Sequence, residues 1–387
     1  MEEVYRVQHD HSTASTSNLV VERTGIHLVR LNLNEAFETS FGRIDSRLIF
    51  LVTLEVGGVT GWGEVVAAEE PRYSYETAGT AHHVIKDYLA PALMSQSLDD
   101  LRDLQRCFAP FRGHNMAKAG LEAAFVDLTA RLRTTSLSNL IGGTRERVPV
   151  GVSLGIQPAL SSLLERVDKY LGLGYQRIKL KIKPGWDVEV VGEVRKRHPK
   201  ILLSVDANSA YTLDDLDHLK ALDEFDLLMI EQPLHYDDLL DHAKLQSELK
   251  TSICLDESIT SSRRAEQALA LDSCRLINIK MGRVGGYSEA LAIHDLCHRR
   301  GIPVWCGGML ESGIGRAHNI ALASLPGFTL PGDISASSRY FARDLINPPV
   351  TVDSNGYIDV PCDVALGFEP DVDYIVSRRE FVEWIRV

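Results

Sequence analysis

The chain has no excess of basic residues: 41 Lys and Arg stand against 53 Asp and Glu, a net charge of −12. Nucleic acid or an anionic membrane would call for a basic surface, so neither is expected as a partner. Apolar runs of the roughly 18 residues needed to cross a bilayer are also missing, and the polar N-terminus shows no signal-peptide pattern. Cysteine is sparse, with six residues (107, 254, 274, 297, 306 and 362) scattered and no CxxC pair. Disulfides are therefore not expected, and the reading is a cytoplasmic protein. What remains is ordinary for a globular chain: 387 residues, 44% apolar and 24% charged, long enough for two domains.

Against that background one pattern stands out. Asp206, Glu231, Asp256 and Lys280 recur at intervals of 25, 25 and 24 residues, each closing a short apolar run. The runs are Ile201–Asp206, Leu227–Glu231, Ile253–Asp256 and Arg275–Lys280. A strand, a helix and two turns fill such an interval, so the beat predicts a βα repeat. Further strands are predicted at Val148–Leu154, Arg177–Ile182, Pro303–Cys306 and Phe328–Asp333, eight in all. Charge at the C-terminal ends of consecutive parallel strands points to a (β/α)8 TIM-type barrel, whose active site lies at that face.

The rest of the chain reads differently. Residues 1–18 form a polar, aperiodic tail, and its His9 and His11 are expected to be solvated. Residues 19–147 begin with strands, including a Gly57-Gly58 hairpin signal, and continue with helices, among them one with Leu121, Ala124, Phe125, Leu128 and Leu132 on one face. That order marks an α+β domain. The barrel is assigned to 148–345, and the closing segment 346–387 is expected to return to the first domain. The expected class is α/β: a barrel with an α+β cap.

Alternation on the second barrel strand gives Lys179, Lys181 and Lys183 one face and three aliphatics the other. In a barrel the aliphatic face goes to the helices, so Lys179 and Lys181 point into the lumen and need carboxylate partners or a function. Asp206, Glu231 and Asp256 converge on one spot, where their mutual repulsion calls for a cation. Oxygen ligands without His or Cys suit a hard divalent ion such as Mg²⁺, with Mn²⁺ able to substitute. Glu257 is expected to orient a ligand or a lysine beside them. Lysines on strands two and six would face each other across this metal. Such a pair suits removal of the α-proton of a small carboxylate substrate, with the cation holding the charge that develops. Two carboxylates acting as a glycosidase pair would need no such lysines. The glycines at 282–286 and 307–313 lack the lysine of a phosphate loop, and Cys306 and His318 are expected to pack rather than react.

These residues sit in motifs that resemble the enolase superfamily, muconate-lactonizing subgroup, and within it the o-succinylbenzoate synthases and N-succinylamino acid (N-acylamino acid) racemases. The motifs are Phe37–Gly42, Gly61-Trp-Gly-Glu64, Pro71–Thr77, Lys118–Glu122, Lys179-Leu-Lys181, Asp206-Ala-Asn208, Glu231-Gln-Pro233, Asp256-Glu-Ser258, Lys280–Gly286, Gly307–Gly313 and Gly332–Ser335. The resemblance implies Asp206, Glu231 and Asp256 as metal ligands and Lys181 and Lys280 as the catalytic lysines, with Lys179 in support. It implies a substrate pocket of Ser153, Asn208, Arg283, Gly308, Met309 and Leu310, backed by Asp333. Phe41 and Tyr73 of the capping loops would select the acyl arm and leave the proton chemistry alone. The implied activity is dehydration of 2-succinyl-6-hydroxy-2,4-cyclohexadiene-1-carboxylate to o-succinylbenzoate, in menaquinone synthesis. The alternative is racemisation of N-succinylamino acids at the same site. Met281 departs from the subgroup, where proline is usual. A homo-oligomer is expected, since symmetric assembly is common.

Overall fold

The computed structural model describes residues 18–386; the N-terminal segment carrying His9 and His11 lies outside the described residues. Two sheets organise the chain. The first is antiparallel, in the order Arg379–Arg386, Arg23–Thr39, Gly42–Val56, Val59–Val65. Its last hairpin turns at Gly57-Gly58, both at positive φ (56° and 78°), which glycine adopts without steric cost. The helix Asn115–Leu132 lies directly on this sheet. Gly61 and Gly63 permit that approach: a Cβ at either would come within 2.2 Å or 2.1 Å of helix carbonyls at Ala124 and Gly120.

The second sheet holds seven parallel strands in sequence order: Gly151–Leu154, Arg177–Lys181, Leu202–Asp206, Ile230–Glu231, Ile253–Leu255, Leu276–Ile279 and Val304–Cys306. They are counted here as barrel strands one to seven. The expected eighth strand, Phe328–Asp333, is reduced to single bridges, Val304 with Phe328 on one edge and Val150 with Gly332 on the other. Those bridges close the barrel. A ladder does not form there because Pro331 lacks the N–H that it would need. The predicted strand Val148–Leu154 is also split at Pro149: Arg147–Pro149 pairs with Tyr357–Asp359, away from the barrel.

Packing follows the alternation. Ile178 and Leu180 are fully buried in the large core shared with the surrounding helices. Arg177, Lys179 and Lys181 turn inward, and Trp305 underlies them, its ring 4.6 Å from both the Arg177 guanidinium and the Lys179 Nζ. The two halves are joined by buried carboxylates, one on the first sheet and one on the helix that packs against it. Glu64 accepts hydrogen bonds from Ser312 Oγ (2.6 Å) and the Gly315 amide (3.1 Å) at the start of helix Gly313–Ala323. Glu122 accepts from Ser288 Oγ and its amide at the start of helix Tyr287–Arg300. Among the described residues no helix is long and apolar enough to cross a membrane.

Candidate active site

The register of the barrel sets the site. Lys181, Asp206 and Glu231 stand side by side on strands two, three and four, and Asp256 follows the end of strand five. Carboxylate oxygens of Asp206, Glu231 and Asp256 all lie within 4.8 Å of one another, and the three residues are fully buried. This donor set, oxygen only and buried, fits a hard divalent cation. Glu231 shows why: burial, then the charges of Asp206 and Asp256, push its carboxyl up to about 7. A cation at the three carboxylates would remove that repulsion.

Four cationic side chains contact the triad. Lys179 Nζ reaches Glu231 (2.7 Å), Asp333 (2.8 Å) and Asp206 (3.3 Å). Lys181 Nζ lies 2.6 Å from Asp206 Oδ2 and 2.6 Å from Asn208 Oδ1. On the other flank Lys280 Nζ lies 2.6 Å from Asp256 Oδ2, and Arg283 pairs with Asp256 Oδ1. Burial alone would raise Asp256, but Lys280 and Arg283 outweigh it and hold the carboxyl well below the usual range. Burial would likewise lower Lys280, yet Asp256, Tyr73 and Glu231 together keep its ammonium well above the ordinary value. The triad thus has Lys181 on one side and Lys280 on the other.

Other expected residues fall around this centre. Ser153 Oγ donates to Asp333 Oδ2 at 2.7 Å, and Asp333 also pairs with Arg177, so Asp333 anchors Lys179 from below. Gly308, Met309 and Leu310 are half-buried in the loop after strand seven, with Met309 against the core of the first sheet. Arg283 is buried, and its nitrogens donate to Asp256, to the Ile259 carbonyl and to the Asn278 carbonyl. Its geometry is that of a brace on Asp256. Cys306 and His318 are buried, and His318 bonds Tyr287 and the Trp62 carbonyl, its ring pushed down to about 4 by burial.

The two capping residues separate. Phe41 sits at the tip of the hairpin 39–42, its carbonyl accepting from Arg72. Tyr73 instead reaches the centre: its hydroxyl donates to Asp256 Oδ1 (2.8 Å), accepts from Lys280 Nζ (3.2 Å), and its ring lies 4.6 Å from that nitrogen. Tyr73 thus touches both a triad carboxylate and a lysine, contacts that a role confined to the acyl arm does not anticipate.

Three contributors escape pattern reading. Asn278 donates to Glu231 Oε1 (2.7 Å), Arg177 holds Asp333, and Gln232 accepts from the Asp256 and Ser258 amides, tying strand four to strand five. The sole sequence signal for them is inward parity on strands two and six and adjacency to Glu231.

A capped parallel barrel whose C-terminal face gathers three carboxylates between two lysines defines an enzyme of the enolase type. Comparison with known proteins agrees. Residues 23–142 match the profile of the mandelate racemase / muconate lactonizing enzyme N-terminal domain, and residues 162–374 that of the enolase C-terminal domain-like family. The chain is 52% identical over 364 residues to an o-succinylbenzoate synthase of Geobacillus kaustophilus, covering 94% of this chain and 97% of that protein. It is 47% identical over 355 residues to an N-succinylamino acid racemase of Thermus thermophilus, covering 92% and 96%. A crystal structure of an enolase-superfamily member from Listeria innocua superimposes with a TM-score of 0.92 at 42% identity, covering 95% and 99% of the two chains. The chain belongs to the enolase superfamily, in its mandelate racemase / muconate lactonizing branch.

Proposed function

We propose that this enzyme is a Mg²⁺-dependent o-succinylbenzoate synthase, dehydrating 2-succinyl-6-hydroxy-2,4-cyclohexadiene-1-carboxylate. The observation that carries the proposal is the placement of Lys181 and Lys280 on opposite flanks of one buried carboxylate triad. Names borne by relatives at about half identity support the same substrate class. Asp206, Glu231 and Asp256 would hold the metal, which supplies positive charge where the substrate carboxylate becomes electron-rich. Lys181, as the free amine, takes the ring proton α to the carboxylate. The C–H electron pair moves into the carboxylate, then back to form the ring double bond as the neighbouring C–O bond breaks. Lys181 returns its proton to the departing hydroxyl, so water leaves and both proton and charge balance. Lys280 needs only to stay positive, a role its ion pair with Asp256 and contact with Tyr73 support.

The same geometry supports a second reaction, racemisation of N-succinylamino acids. There Lys181 and Lys280 would exchange the α-proton from opposite faces. A relative named for that activity supports this reading. We also propose a cytoplasmic setting, where its free cysteines stay reduced.

The test is direct: Mg²⁺-loaded enzyme with the hydroxycyclohexadiene carboxylate, product followed by liquid chromatography. Formation of o-succinylbenzoate at enzymatic rates is expected. Proton exchange without aromatisation would leave the racemase reading alone.

A further inference from the structure

Lys181 and Lys280 are held by different means. Lys280 rests against Tyr73, whereas Lys181 is held by Asn208, which is held in turn by Glu257. Asn208 Nδ2 donates to Glu257 Oε1 at 2.9 Å, and Asn208 Oδ1 accepts from Lys181 Nζ at 2.6 Å. All three side chains are at least nine-tenths buried. The Asn208 backbone sits in the left-handed region, φ 43°, a conformation asparagine tolerates better than most residues. Its amide donates to Asp206 Oδ1 at 3.0 Å, and its carbonyl accepts from Ser40 Oγ of the cap hairpin. Backbone and amide plane are both fixed.

We infer that Glu257 is a positioning residue for Lys181, acting through Asn208. This rests on the proposed role of Lys181 as a base. The reason lies in the chemistry of a neutral amine, which has two N–H bonds and one lone pair. Asn208 Oδ1 and Asp206 Oδ2 are two acceptors within 2.6 Å of Nζ, one for each N–H. The lone pair is then left to face the substrate. If the Asn208 amide turned over, Nδ2 would donate into that lone pair and occupy it. An ammonium would prevent the turn by itself; the free amine would not. Glu257 opposes it in both states, because its Oε1 accepts from Nδ2 at 2.9 Å in the observed orientation.

Glu257 uses one oxygen for this. Among the described residues Oε2 has no hydrogen-bond partner. A glutamine could therefore keep a carbonyl oxygen at the place of Oε1, with its amide nitrogen at the place of Oε2. Glu257 also lies in the field of Lys280, so loss of its charge reaches Lys280, whereas loss of amide orientation touches Lys181 alone.

The experiment measures α-proton exchange of both enantiomers of an N-succinylamino acid in D₂O by NMR, with Mg²⁺-loaded enzyme. Lys181→Arg identifies the enantiomer that Lys181 serves. Glu257→Leu is expected to slow that enantiomer about tenfold or more relative to the other, the scale of a misoriented catalytic group. Glu257→Gln is expected to bring the ratio back towards wild type. Should Glu257→Leu lose its native circular dichroism, Asn208→Ala with Glu257 intact must shift the ratio the same way. Equal slowing of both enantiomers, or an unchanged ratio in the folded variants, overturns the inference while the function stands. Should wild-type enzyme exchange neither enantiomer, the same variants are compared on dehydration, where Glu257→Leu must slow aromatisation and Glu257→Gln restore it. Failure there overturns the inference, and a wild type inactive on both substrates overturns the function as well.

Discussion

Single residues carry the proposed chemistry, and on that proposal the two lysines share dehydration unequally: Lys181 moves a proton, while Lys280 supplies charge. Lys280→Arg should thus lower the dehydration rate less than Lys181→Arg, since arginine keeps the charge but is a very poor base. Steady-state rates of the two variants check this, and equal losses would contradict it. Tyr73→Phe removes a hydroxyl bonded to both Asp256 and Lys280, so it should slow proton exchange on every substrate. Phe41 variants, by contrast, should shift the preference between succinyl and acetyl compounds with exchange retained on the best one; the contrast is read from kcat/KM on both substrates. Much of this centre is legible in the sequence, because inward parity and the 25-residue beat bring the triad together. Tyr73 is the residue it mislays. Its partner Asp256 lies 183 residues away, and no local period encodes the packing of one domain's loop onto another's strand end.

Secondary elements show where local chemistry wins over pattern. The apolar run at Phe328–Asp333 carries a strand's composition, yet Pro331 leaves it with single bridges that still close the barrel. Gly61 and Gly63 look like breaks in a strand and are in fact the seat of a helix. Glu64 of the capping sheet and Glu122 of the helix on it cap barrel helices, and burial pushes both carboxyls up to about 7 from 4.5. The folded chain therefore holds protons that the unfolded chain releases between those values. Their contribution to stability is full below the unfolded value and lost as pH rises through about 7. Glu122→Gln should remove part of this dependence. Its thermal midpoint, followed by circular dichroism between about pH 5 and pH 8, should fall less than that of the wild type. Parallel curves would contradict the account.

At the scale of the whole molecule, the barrel supplies the triad and both lysines, the capping sheet supplies the hairpin at 39–42, and the loop after its strand Val59–Val65 supplies Tyr73. The periodic charges made the barrel readable from sequence, whereas the contacts between the two sheets depend on tertiary packing that periodicity does not reach. Because three buried carboxylates converge, chelation should abolish turnover and Mg²⁺ or Mn²⁺ should restore it. Asp206→Asn, Glu231→Gln and Asp256→Asn should each weaken metal binding by calorimetry, and full turnover in verified metal-free protein would refute the role of the triad. The central claim is that Lys181 and Lys280 work from opposite sides of that centre. Deuterium exchange of both enantiomers of an N-succinylamino acid, followed by NMR in Lys181→Arg and Lys280→Arg, tests it most directly. Each variant is predicted to lose racemisation and to retain exchange of one enantiomer, the two variants retaining opposite ones. Loss of both enantiomers in one variant, with neither lost in the other, would mean a single base and contradict the two-sided geometry.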